Sequence, residues 1–487
     1  MSYVPVDVPA FGGLDLRDPE DATGSPDLLN VFEVQPGKLV CRAGLGSVVG
    51  STNLGSTPTG LVAYSPGGLA CGFGTTVRTF TTAGATTAST TGLTSGTWSS
   101  VAIGGYAYFA NGYDYVLKAG ATHTTGAASA STKAIGATSF TGSRKMPKPL
   151  FVGRQPKDNR LVAAGFLSAD GPNALATVTL GDGSTVAVDS STVFFSQPDS
   201  PAYWDETDWV MLDRGDGEAI TAVETFNDQL YIFKSSKFFV FYGNSTDADG
   251  GAVFNFRKVD CPAYVRATVS HTSGLYFATN NGIFVTTGGV PRRVSEPVDY
   301  LFNGTYLPFV GAQGFTYGPL VFFPMCTPGN GLFNGYWLVL DTDTGKWWLW
   351  KYAEGVSTGV EWYGYVYCPR DNATGIYKFD PYGTATTDNG TAFTSYYTSA
   401  YSALGSPGVE KTIRQTELRG TGTVDLSWGK DRQAHGYSRG VTMLNGRGLD
   451  RTAVRGETLS WKVSGSGWTL NRVVPFLREQ RASGVVT

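Results

Sequence analysis

Charged and metal-binding side chains are scarce in this chain, and each shortage removes a class of function. Of 487 residues only 16% are charged, three are histidine and five are cysteine. The histidines (His123, His271, His435) are dispersed, and none lies one helical turn from another possible ligand. The cysteines (Cys41, Cys71, Cys261, Cys326, Cys368) are odd in number and without CxxC spacing. That pattern argues against a zinc ribbon or a disulfide framework and for buried thiols. No run of eighteen apolar residues occurs, and residues 1–10 have neither a basic start nor an apolar stretch, so neither a membrane span nor a secretory signal is expected. Phosphate-binding GxxxxGK[ST] runs and nucleophile elbows are absent as well. The expectation is a protein made in the cytoplasm, without stable membrane insertion, with no catalytic residues, no cofactor and no enzymatic turnover.

Glycine and aromatic residues are abundant instead: 64 Gly, 28 Phe, 25 Tyr and 11 Trp. Such a composition suits many short strands joined by tight turns. Alternating strand pairs begin near Leu61, Ser100, Ile220, Ala267, Tyr317 and Val360, recurring at roughly 40–50 residues, the period of a propeller blade. The expected fold is all-β: an interrupted β-propeller of six or seven blades over residues 55–390. A pair of stacked β-sandwiches would share the same turn spacing. Within the repeats, residues 230–233, 275–278 and 320–323 read as inner strands, with hairpin partners at 238–242, 283–286 and 336–340. Two stretches interrupt the pattern. Residues 121–143 are small and polar and read as a loop or exposed hairpin, and 174–188 read as an inserted hairpin around Asp182-Gly183.

Both ends of the chain differ in texture from the repeats. Residues 1–54 read as an entry module with a strand after Gly12-Gly13, a helix of about two turns and a second strand ending in Arg42. Ser25 would cap that helix, Pro26 and Asp27 would occupy its first turn, and Asn30 would end it. Residues 391–487 read as an appended β-sandwich. From Lys411 to Thr487 there are thirteen Lys or Arg and six Asp or Glu, a net of +7, so that a chain at −3 overall carries −10 over residues 1–410. The basic residues Arg414, Arg419, Arg432 and Arg439 are candidates for a protein interface, or alternatively a solvated face. An acidic body is unsuited to gripping DNA, since non-specific affinity comes from neutralising phosphates.

One short motif has a chemical reading. DTDTGKWW, from Asp341 to Trp348, is similar to the Asp-box turn of sialidases and related propeller hydrolases, in which an Asp caps a hairpin over a Trp. It occurs once, and no arginine-bearing motifs accompany it. Asp341 and Asp343 therefore read as turn-stabilising, with calcium as the alternative because acidic oxygens at alternate positions suit that ion.

Two blocks carry a family resemblance. At the N-terminus, Gly12, Gly13, Arg17, Asp27, Leu29, Asn30, Gly37, Leu39, Arg42 and Gly44 occur in the order that opens the tail nozzle and packaged-DNA stabilisation proteins of short-tailed bacteriophages. Further on, Arg160, Leu161, Gly165, Phe195, Ser196, Pro201, Trp204 and the Gly215-Asp216-Gly217 turn follow a similar order. Ile220, Leu230, Phe233, Lys234, Phe241, Tyr242 and Gly243 continue it. Local physics explains this second block without any chemical site: Asp216-Gly217 makes a tight turn, Trp204 and Trp209 anchor it, and Lys234 would lay its stem on aromatic rings with its charge in water.

The resemblance implies a structural virion protein. Copies, six by resemblance, would form a ring below the portal and adaptor, contact other tail proteins, let packaged double-stranded DNA pass without tight binding, retain the genome and open for ejection. The alternatives are a propeller glycan hydrolase or depolymerase, which would need convergent acidic residues at one propeller mouth, and a receptor-binding tail protein.

Overall fold

The computed structural model describes residues 4–480 except 7–10, 18–23, 47, 55, 57, 65–67, 82, 84, 95, 121–146, 168–175, 243–253, 262–264, 303–306, 309–312, 327–332, 353–354, 371–373, 405–406 and 437. The interruption expected at 121–143, together with His123 and Gly243, lies outside the described residues.

Seven antiparallel sheets follow one another along the chain. Their first strands are Pro58–Tyr64, Ser99–Ile103, Pro149–Gln155, Ala222–Phe226, Val265–His271, Phe315–Tyr317 and Val360–Trp362. Each first strand packs against the first strand of the next sheet, and the seventh returns to the first. A closed ring of radially stacked sheets is a β-propeller, here of seven blades, and this closure leaves only short, protected edges. The seventh blade is completed by a strand from the other end of the ring: Val48–Asn53 pairs with Thr374–Phe379. Within the third blade, Thr177–Thr179 and Thr185–Ala187 form a separate two-stranded hairpin, its turn held by Asp182, which accepts from the Ser184 amide and hydroxyl.

The segments read as inner strands stand one place further out. Gln229–Phe233, Gly274–Thr279 and Leu320–Cys326 are second strands, and they do pair with Lys237–Phe241, Gly282–Thr286 and Phe333–Asp341. These second strands are near-continuous apolar runs because neighbouring blades cover both of their faces. Inner strands border the central channel and tolerate Ser, Thr and Glu.

An eleven-stranded sheet system holds the remaining strands except the short pair Thr387–Asp388 and Thr391–Ala392, and it draws on both ends of the chain. Its spine is the 21-residue strand Glu410–Lys430. The first half of the spine pairs with Thr469–Gln480, Arg447–Asp450 and Val454–Gly456, and the second half with Leu459–Gly465 and Arg439–Met443. The spine changes partners at Gly420, where a Cβ would lie 2.1 Å from the Thr469 carbonyl oxygen. This is how one strand serves two layers.

The first forty-one residues are not a module of their own. Val4–Pro5 and Lys38–Cys41 pair with Thr469–Gln480, and Asp27–Leu29 pairs with Ser395–Thr398. The helix expected from Ser25 to Asn30 is therefore a strand. The Ser25 hydroxyl contacts the carbonyls of Asp27 and Thr398 rather than capping a helical turn, and Asn30 turns the chain at φ 59°. Pairing with a distant strand overrides the local capping signal. Trp461, Trp468, Leu418 and Val473 of this sheet share one continuous core with Trp337, Trp347 and Trp350 of the sixth blade.

Candidate functional site

Residues of the N-terminal block converge on a buried joint. Arg42 follows the strand Lys38–Cys41 and is 1% exposed. Its guanidinium forms a two-pronged ion pair with Asp388 at 2.7 and 2.8 Å. It also donates to Asn30 Oδ1 at 2.9 Å and to the carbonyls of Ala43 and Lys351. All five of its N–H donors are thereby used. Tyr352 and Phe393 sandwich the cation at 3.8 and 3.7 Å. Asn30 completes the joint, accepting from the Lys351 amide and donating to the Thr394 carbonyl. One arginine thus ties the N-terminal strands, the outer strand of the sixth blade and the segment leading into the C-terminal sheet. Gly44 belongs to the same contact, since a Cβ there would lie 1.9 Å from the Thr387 carbonyl oxygen.

Arg160 and Lys234, from the second block, are also internal. Arg160 pairs with Asp158 at 2.8 Å and Asp208 at 2.6 Å and donates to the Ser196 carbonyl. Lys234 corrects the expectation of a solvated charge: its side chain is fully buried. The ammonium meets both Asp216 oxygens at 2.8 and 2.9 Å, the Leu212 and Asp213 carbonyls and the Ser191 hydroxyl. Five acceptors compensate for the loss of water, and the GDG turn supplies two of them, the Asp216 oxygens. Burial would raise the Asp216 carboxyl, but the Lys234 and Lys237 ammoniums outweigh it and bring it down to about 2.

The four interface candidates do not form one patch. Arg414 and Arg419 lie on the spine, Arg432 in the turn beyond its far end and Arg439 at the start of the next strand. Arg419 is bound to Glu417 at 2.7 Å, and Glu417 also holds Arg447 at 2.6 Å. These two guanidiniums hold the Glu417 carboxyl below its ordinary range.

Asp341 and Asp343 have separate fates. Asp341 is buried, and its carboxylate accepts from the Asp343 and Thr344 amides and the Thr344 hydroxyl, closing the turn over Trp347. Asp343 is exposed. Among the described residues no group of three His, Cys, Asp or Glu side chains is placed to hold a metal ion.

What the sequence did not point out is the mouth that Asp343 joins. A cavity of about 840 Å³ is lined by the first turns of blades four to seven, including Asn227, His271, Pro319 and Glu361, with Asp343 alongside. Among the described residues no lysine or arginine lines it. His271 is engaged through both ring nitrogens, with Ser273 and the Gly318 carbonyl. Nearby tyrosines record a negative field. Burial, followed by Asp380 and Glu361, pushes Tyr317 up to about 12, and burial, followed by Asp341 and Asp343, does the same to Tyr382. A second cavity of about 560 Å³ runs along the inner strands of blades one to five. Glu224 stands on its wall, accepting from the Thr225 amide and the Thr268 hydroxyl, and burial holds its carboxyl above the ordinary range.

Fold and joints together define an all-β protein in which a seven-bladed propeller is cross-braced to a two-layered β-sheet. No protein-family profile and no curated protein matches the chain. Among solved structures it is similar to BamB from Moraxella catarrhalis, at 9% identity over 78% of this chain and 99% of that one, with a TM-score of 0.39. The Neurospora crassa Pan2 WD40 domain is similar at 8% identity over 71% and 100%, with a TM-score of 0.38. The computationally designed Ika8 protein is similar at 11% identity over 68% and 99%, with a TM-score of 0.38. At these scores the likenesses carry no functional argument, and the propeller rests on its own strand order.

Proposed function

We propose that this chain is a structural tail protein of a short-tailed phage, whose copies form a ring that prolongs the DNA channel below the portal and adaptor, retains the packaged genome and opens at infection. The observation that carries the reading is the Arg42 joint. The N-terminal residues that carry the resemblance, Asn30, Arg42 and Gly44 among them, are spent on bracing one body against another, which a conduit under load requires and a catalyst does not. The inner strands touch one another all the way round the propeller, so DNA would pass between copies rather than through one. An acidic body of −10 suits sliding rather than gripping.

Native mass measurement and particle images of the purified protein test this directly. A closed ring, six-fold by resemblance, with little duplex affinity at physiological salt, is the expected result. A stable trimer that binds host cells, or tight salt-resistant duplex binding, would overturn it. The hydrolase reading retains one specific observation, that Asp343 and Glu361 share the mouth cavity. Release of reducing sugar from host polysaccharide, abolished by Asp343→Asn or Glu361→Gln, would establish that reading instead.

A further inference from the structure

The acidic mouth has a complement elsewhere on the same chain. Strands Arg439–Met443 and Arg447–Asp450 of the C-terminal sheet are joined by the tip Leu444-Asn445-Gly446, with Asn445 at φ 52° and Gly446 at φ 80°. Positive φ at both central residues gives a tight hairpin turn closed by the Leu444–Arg447 bridge, while the strands on either side both run along the spine and the Gly446 carbonyl accepts from the Gly420 amide. Leu444 is 72% exposed and Leu449 43% exposed. Arg447 and Arg451 flank Leu449 along its strand and Arg419 stands opposite Arg447, all three exposed, with Glu417 the carboxylate bound to Arg419 and Arg447. Exposed leucines beside arginines mark a contact surface. The mouth offers the opposite arrangement: Asp343 and Glu361 in the cavity and, in the turn that follows Glu361, Tyr363, 67% exposed; Tyr365 beyond it already carries the Lys378 ammonium over its ring. Its 840 Å³ lies in the range that admits a drug-sized group, which a hairpin tip with its Leu and Arg side chains matches.

Resting on the ring reading, we infer that the hairpin tip of one copy docks in the propeller mouth of the next. Arginines meet the carboxylates and the Tyr363 ring, and Leu444 meets the apolar wall formed by Phe226 and Pro319. Hairpin and mouth are different surfaces of the same chain, so the contact is head-to-tail. Such heterologous contacts generate closed rings when the rotation closes.

Sedimentation of the full chain from low to high salt tests the inference, using a mouth variant (Asp343→Lys with Glu361→Lys) and a tip variant (Leu444→Asp with Arg451→Glu). The wild type is expected to assemble, and each variant alone to stay monomeric with an unchanged unfolding temperature. Mixing the two variants leaves one intact mouth and one intact tip, and the expected product is a dimer and nothing larger. Assembly of both variants like the wild type would overturn this inference while leaving the ring to other contacts. A wild type that is monomeric at every salt concentration would overturn the ring reading with it. Should the mouth variant unfold early, Asp343→Asn with Glu361→Gln serves in its place, and at least a tenfold weakening of assembly is then expected.

Discussion

The propeller and the C-terminal sheet are both assembled from antiparallel strands, yet they draw on the chain in opposite ways. Each of the first six blades is made from consecutive residues, and only the seventh borrows a distant strand, Val48–Asn53. In the sheet, strands between residues 4 and 41 pair with strands between 395 and 480. The buried charges follow the same division. Lys234 and its acceptors lie within residues 191–237, whereas Arg42 reaches Lys351 and Asp388. Local pairing makes a blade that holds itself. Distant pairing makes a joint whose failure releases both chain ends.

The sharpest way to break that contrast is Arg42→Ala. Asp388 would be left buried without its cation, at a cost of about 3–5 kcal/mol. Calorimetry should show the sheet melting ahead of the propeller. A single transition merely shifted to lower temperature would mean that the two bodies are one cooperative unit. Lys234→Met should cost less, about 2–3 kcal/mol, because Asp216 keeps Lys237 at 2.9 Å. Proteolysis should then open blades three and four and spare the sheet.

Acid sharpens the comparison within the propeller. The Asp216 carboxyl sits at about 2 in the folded protein, so the stability it adds is present above the ordinary carboxyl range and is lost as pH falls through about 2. Glu224 has the reverse sign, since its carboxyl is raised by burial and its ionised form costs stability as pH rises. Glu224→Gln should therefore raise the unfolding temperature at pH 7 and leave it unchanged near pH 4. Equal effects at both values would show that the carboxyl is not strained. Least is expected of Asp341→Asn, about 0.5–1 kcal/mol from a weakened turn, with denaturant midpoints as the measure.

The local half of the molecule was the legible half. Leu61, Ser100, Ala267, Tyr317 and Val360 each fall in a first strand, because strand-turn-strand alternation is written in consecutive residues. The third blade gave no such start. Its first strand, PLFVGRQ, runs four apolar residues together and then Gly153, Arg154 and Gln155, so no period-2 alternation marks it. The N-terminal helix failed for the opposite reason. Ser25-Pro26-Asp27 is good capping chemistry, but its strand partner lies about 370 residues away and no window contains both. Arg42 and Lys234 were singled out by resemblance, while their burial was invisible because the compensating acceptors are assembled only by the fold. The mouth was hidden in the same way, its carboxylates coming from turns of different blades.

The propeller is, in effect, inserted into the sheet. Residues 38–41 leave the sheet, the chain then builds all seven blades, and only afterwards do residues 410–480 supply the strands that residues 4–41 need. Translation adds about 5–20 residues per second, so the first strands wait about 20–80 s for their partners. During that interval Val31–Gln35 and Lys38–Cys41 can satisfy one another only as a hairpin, with their outer edges open. The newborn chain is therefore most prone to pair with a neighbouring copy before its last eighty residues emerge, and the final strand, Thr469–Gln480, is the one that ends the exposure.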